Sequence, residues 1–217
     1  MNALSDPSLL ILTMILLGLI PFIAVIATSF VKIIVVLQLI RNALGIQQIP
    51  PTMTLNGLAI ILTVYIMAPV GIQTFDQLVG RDLKNMNTAE LTQTMSAAAE
   101  PFRQFLGRYA APRHREFFLE TAKRLWPPQA TENLDQNHFL ILIPAFTVSE
   151  LTSAFEVGFL LYLPFVAIDL IISNILLAMG MMMVSPMTIS LPFKLLLFVM
   201  LDGWTRLIQG LVLSYSQ

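Results

Sequence analysis

Apolar residues fill this chain in long unbroken stretches rather than at the spacing of a one-sided surface helix. The first stretch runs from about Leu9 to Val31, and residues 7–31 form an uncharged run of 25. A spanning helix needs about 20 apolar residues, so a membrane helix is expected here. Pro21 is placed to kink it, because the ring removes a backbone donor. Lys32 and Arg41 then flank a further apolar segment, IIVVLQLI, and Gly45, Pro50 and Pro51 break the pattern. The second spanning stretch runs from about Met53 to Phe75. Beyond residue 138 the chain is apolar again. Residues 139–157 carry Glu150 and Glu156 and predict a helix buried against protein rather than lipid. The remaining membrane stretches are about 160–184 and 192–213, and residues 170–193 form an uncharged run of 24.

Residues 76–135 have another character. They hold sixteen of the chain's twenty-five charged residues, eight acidic and eight basic. A small helical domain in water is expected. Asn87 with Glu90 forms a capping-box pattern. Phe102, Phe105, Leu106 and Tyr109 recur at helical spacing. Pro112 suits the first turn of a second helix, whose apolar face would be Phe118, Ala122, Leu125 and Trp126. Pro127 and Pro128 end it. The organisation expected is therefore 1–75, apolar helices; 76–135, the polar helical domain; and 136–217, apolar helices again. The fold class is all-α, a membrane protein of kinked apolar helices and helical hairpins.

Composition agrees. Charged residues are 12% of the chain and hydrophobic residues 56%, whereas a soluble domain carries about 25% charge. A net charge of -1 argues against nucleic acid as a partner. There are no cysteines, so disulfides and thiolate metal sites are excluded. No cofactor and no metal are expected. The first stretch lacks the basic region that opens a cleaved leader, so it is expected to be retained. Basic residues in short loops face the cytoplasm. Lys32, Arg41 and Lys194, read as loop charges, would then put the polar domain and both termini in the periplasm.

Three features exceed what lipid-facing packing needs. Glu150, Glu156, Asp169, Lys194, Asp202 and Arg206 are charges in apolar surroundings, and an unpaired one at mid-membrane costs roughly 2.5–3.5 kcal/mol. Four acids against two bases cannot all pair within one copy, so some are expected to face water or another chain. The expected pair is Glu150 with Lys194 across a subunit boundary. Second, Met179, Met181, Met182, Met183 and Met187 make five of the chain's twelve methionines. Methionine is flexible and adapts to irregular partners. Gly180 and Pro186 bracket the run and discourage helix there. Such a loop could form a deformable apolar ring or simply fill helix contacts. Third, Pro21, Pro50, Pro51, Pro144, Pro164, Pro186 and Pro192 punctuate the apolar segments and suggest broken helices within an assembly.

Enzyme chemistry finds little support. No phosphate-binding glycine loop and no His-Glu-x-x-His motif is present. An Asp169/Asp202 dyad, or Ser149 or Ser153 with Lys194, would be a hydrolase reading without a local motif. Glu150, Glu156 and Asp169 as a coupling path would make a small-solute or proton-coupled transporter. His114 and His138 read as solvated.

The stretch PAFTVSELTSAFEVGF, residues 144–159, strongly resembles a signature of the FliP/SctR family (the YscR-, HrcR- and SpaP-like proteins). So do LPFVAIDLIISNILLAMGMMMVSPMTISLPFKLLLFVMLDGW, residues 163–204, and FVKIIVVLQLIRNALGIQQIPP, residues 30–51. The resemblance covers nearly the whole chain and is weakest over 76–135. It implies a core subunit of the type III secretion export gate in the bacterial inner membrane. It also implies several copies, expected to be five, assembled helically with FliQ/SctS-like and FliR/SctT-like subunits around a pore for unfolded polypeptide. Contacts with FlhB/SctU-like and FlhA/SctV-like export proteins and with membrane lipid are implied as well. It assigns the gasket of that pore to Met181, Met182 and Met183, flanked by Met179 and Met187. It further implies an assembly of stacked helical hairpins placed largely above the bilayer. The ALGIQQIPP and LWPPQ stretches look closer to the injectisome branch than to the flagellar one.

Overall fold

The computed structural model describes residues 7–46, 48–79 and 87–216. Asp6, Gln47 and residues 80–86 (Arg81, Asp82 and Lys84 of the polar segment among them) lie outside the described residues. Every regular element among the described residues is an α-helix: α1 (Pro7–Ile26), α2 (Phe30–Ala43), α3 (Thr52–Leu78), α4 (Thr88–Tyr109), α5 (Pro112–Leu125), α6 (Pro128–Thr131), α7 (Phe139–Ala178), α8 (Pro186–Met200) and α9 (Gly203–Leu213). By length and composition α3 and α7 can each cross a membrane, and the bent pair α8–α9 is a third such unit.

The segment between the first two apolar stretches is a core helix. In α2, Ile33, Val36, Leu37 and Ile40 follow the i, i+3, i+4, i+7 spacing of one face, and all are buried. They pack between Leu55 and Ala59 of α3 and Ala154 of α7, with Leu207 and Leu211 of α9 completing the cluster. Burying each side chain of this size contributes about 1.5–3 kcal/mol. Arg41 in the last turn faces the negative end of the helix dipole and donates to Thr52 Oγ1 at 3.0 Å. Lys32, expected in a loop, is buried in the first turn of α2.

The stretches 139–157 and 160–184, expected as separate elements, are one helix. α7 is 40 residues long, so it extends about 60 Å, twice the roughly 30 Å of a hydrocarbon core. Glu150 does not interrupt it because Lys32 on α2 neutralises it. Pro144 and Pro164 stand inside the helix, each costing it one backbone bond. Gly158 lets α2 approach. A Cβ there would overlap Leu39 Cδ1 and press on Leu39 Cβ and Cγ at 3.3 Å.

The expected span 192–213 is broken. α8 and α9 meet at 60° across Asp202, whose φ of 52° is left-handed. The Phe198 ring fills the space a side chain at Gly203 would take, so the bend is packed shut.

The polar helices begin as expected. Glu90 N–H donates to Asn87 Oδ1 at 2.8 Å and Asn87 N–H to Glu90 Oε2 at 3.0 Å, completing the capping box. Pro112 opens α5. Phe105, Leu106 and Ala110 share a second core with Leu142, Ala145 and Phe146 of α7. This segment therefore leans on α3 and α7 and shares its interior with them. Of the face expected on α5, Ala122 is buried. Leu125 and Trp126, at the end of the helix, are exposed, with no element among the described residues covering them.

Candidate functional site

The chain turns from α7 into α8 through residues 179–185. Gly180, at φ +73°, is the left-handed residue that ends α7. Met181 N–H donates to Leu176 O at 2.9 Å and Gly180 N–H to Leu177 O at 3.0 Å, the paired bonds of a Schellman cap. Pro186 then starts α8, where its missing donor is not needed. The turn is therefore fixed at both ends, and the methionines stand on it facing outward. Met179, Met181 and Met187 are exposed, Met182 is 80% exposed and Met183 is fully exposed.

A buried polar clamp ties the two helices beneath this loop. Lys194 Nζ on α8 donates to Asp169 Oδ2 on α7 at 2.6 Å and to Ala43 O at 3.1 Å. Ala43 ends α2, where carbonyls have no helical partner. Ser190 donates to Asp169 Oδ1 at 2.6 Å. The Lys194 side chain is 4% exposed and that of Asp169 31%. Three helices thus meet at one ammonium group.

A second charged centre lies further toward the start of α7. Lys32 Nζ sits 3.7 Å from Glu150 Oε1, with both side chains buried. Glu150 also accepts from the Tyr215 hydroxyl. Lys32 stands 4.7 Å from the centre of the Tyr215 ring, and Tyr215 O accepts from Tyr109 at 2.8 Å. The end of the chain is thereby pinned to α2, α4 and α7. Within the chain Glu150 faces Lys32 and Lys194 faces Asp169, so neither needs the partner across a subunit boundary that was expected for it. Lys32, taken for a loop charge, supplies one of the two bases missing from the count.

The other expected residues are dispersed. Glu156, Asp202 and Arg206 are exposed, without ion-pair partners among the described residues. Neither hydrolase arrangement is assembled. The oxygens of Asp169 are held by Ser190 and Lys194, and Asp202 lies on the α8–α9 bend. Ser149 donates to Ala145 O at 2.7 Å and accepts from Ala111 N–H at 2.8 Å, seating α5 on α7. His114 Nδ1 lies 2.8 Å from Ser149 Oγ, while its Nε2 accepts from Arg113 Nε at 3.2 Å. His114 is therefore half-buried against Ser149 rather than fully solvated. His138 caps α7, its Nδ1 accepting from Leu140 N–H at 3.3 Å. Among the described residues no cluster of three His, Cys, Asp or Glu could hold a metal.

With described residues that form only helices, two or three of them apolar and long enough to cross a membrane, and with charges paired in its interior, the chain belongs to the class of helical membrane proteins. The FliP family model matches residues 12–211, and the chain belongs to that family. Yop proteins translocation protein R of Yersinia pestis is 57% identical over the full length of both chains. Hypersensitivity response secretion protein HrcR of Ralstonia nicotianae is 47% identical over 95% of this chain and 96% of its own. Virulence protein YscR of Salmonella typhimurium is 47% identical over all of both. Membership makes the chain an inner-membrane, structural component of a type III secretion apparatus of the injectisome branch, and not an enzyme.

Proposed function

We propose that this chain is a pore-forming core subunit of the secretion export gate, conducting unfolded protein across the inner membrane with residues 179–187 as its gasket. The observation that carries this is the methionine loop, fixed by Gly180 and Pro186 at its ends and clamped below by Asp169–Lys194, yet with its side chains uncovered. Apolar side chains on so tightly held a turn require a partner surface. Several copies meeting at an axis would supply it, and an apolar constriction blocks ions by dewetting. Pliable thioethers would then yield around an arriving chain. We assign the neighbouring positions to further copies, five in all, together with FliQ/SctS-like and FliR/SctT-like subunits. FlhB/SctU-like and FlhA/SctV-like proteins are the expected contacts beyond them. With Lys32 and Lys194 buried, Arg41 is the flanking cation that directs the α2–α3 turn to the cytoplasm and the polar helices to the periplasm.

Replacing Met181, Met182 and Met183 together by Ala tests the reading. The native complex should keep its mass while the membrane becomes leaky to ions. A triple variant that assembles and remains ion-tight would refute the gasket. A transporter reading has less support, because Glu150 and Asp169 are already held by ammonium groups and do not form a line of free acids.

A further inference from the structure

The two faces of α7 carry complementary features. Ser153, Val157, Leu161 and Pro164 line one wall of a cavity of about 330 Å³ closed by α8 and α9. Its lining is otherwise apolar, apart from Lys32, Ser214 and Arg206, and Arg206 is exposed there without an ion-pair partner among the described residues. Phe155 and Phe159 stand two residues out of step with that wall, so about 200° around the helix. Both are exposed, and Glu156 lies beside them in the same shallow apolar surface with Val148 and Leu151. One face thus offers a half-open apolar groove with a free cation, and the other an aromatic ridge with a free anion. Each charge, left alone in apolar surroundings, is unfavourable, and a partner of opposite sign relieves both. Within the chain Lys32, Asp169, Glu150 and Lys194 are committed to each other's pairs, so they do not compete for these two.

We propose that copies of this chain join head to tail, the Phe155–Glu156–Phe159 ridge of one copy seated in the α7–α8–α9 groove of the next, with Glu156 paired to Arg206. The proposal rests on the multi-copy reading above and names its contact. Because the two surfaces lie on different faces, the contact is heterologous. Repeating it generates a ring or a helix, never a closed two-fold dimer.

The chain contains no cysteine, which makes cross-linking clean. Glu156→Cys and Arg206→Cys, installed together in the full chain within the native membrane complex, should give on oxidation a ladder extending past the dimer. Either cysteine alone should not. A product limited to monomer or dimer, or a cross-link to a chain of different mass, overturns the proposal. Charge exchange provides an arm independent of cysteine. E156R and R206E should each lower the multi-copy fraction roughly tenfold or more, and E156R/R206E should restore it. Single reversals without effect, or a double variant no better than either single, overturn it as well. A wild-type complex holding one copy would instead defeat the multi-copy reading itself, whereas a multi-copy complex without the ladder defeats only this contact.

Discussion

Removing one partner of the Asp169–Lys194 clamp should have an effect that depends on which partner remains. Breaking a buried ion pair from one side costs about 3–5 kcal/mol, because the survivor stays buried and unpaired. In Asp169→Asn the survivor is the ammonium of Lys194, whose side chain is 4% exposed. It keeps the Ala43 carbonyl, 3.1 Å away, but no counter-charge. That variant belongs in the range just given. In Lys194→Met the survivor is a carboxylate that is 31% exposed and still accepts from Ser190. Water screens it in part, so its loss falls to about 2–3 kcal/mol. A loss of about 3 kcal/mol is roughly a hundredfold in the unfolding equilibrium. Trp204 packs edge-on against Phe198, one helical turn from Lys194, with ring centres 5.4 Å apart, and gives a fluorescence signal close to the clamp. The assay is denaturant unfolding of the purified full-length complex in detergent, following that signal. Asp169→Asn should be the less stable single variant, and the double variant should lose less than the sum of the two. Additive losses, or Lys194→Met falling below Asp169→Asn, would refute the assignment of these groups as a coupled buried pair.

Two further outcomes follow from close contacts. Gly158→Ala should destabilise the chain by about 1–3 kcal/mol through overpacking against Leu39, and adding Leu39→Ala should recover part of it. Thermal unfolding of the single and double variants measures this, and an unchanged single variant would contradict the close α2–α7 crossing. Tyr215→Phe removes the hydroxyl that Glu150 accepts while keeping the ring under Lys32, so a loss of about 1–3 kcal/mol is expected. It should be accompanied by faster amide exchange at the end of α9, read by hydrogen exchange with mass spectrometry.

Local signals carried much of this architecture. The capping box at Asn87, Pro112 opening α5, and the Gly180 and Pro186 that end and restart helix around the methionines are each written within a few residues of where they act. Partnerships across the chain are not. Lys32 reads as a loop charge because a lysine flanking an apolar run ordinarily marks the membrane edge. Its burial depends on Glu150 and Tyr215, which lie far along the sequence. The same omission made the acids look unmatched and drew Glu150 toward Lys194, while Asp169 and the Ala43 carbonyl hold that ammonium within the chain. α7 was cut in two for a related reason. Glu150 and Glu156 look like a boundary, but α2 neutralises Glu150 and the helix runs on past Glu156. The α8–α9 bend turned on Asp202 adopting a left-handed conformation, which an aspartate visits only at particular places.

The length of α7 has a mechanical consequence. Near one end it is fastened through Glu150 to Lys32 and the chain terminus, and at the other it carries the methionine turn. The helical path between Glu150 and Ala178 is about 42 Å at 1.5 Å per residue. A tilt of about 5° about Glu150 alone would swing the far tip by about 4 Å, but Lys194 also ties Asp169 to α2 and α8 nine residues short of that tip. Held at both points, α7 carries its methionine turn as a rigid platform, displaced only when α2 and α8 shift with it.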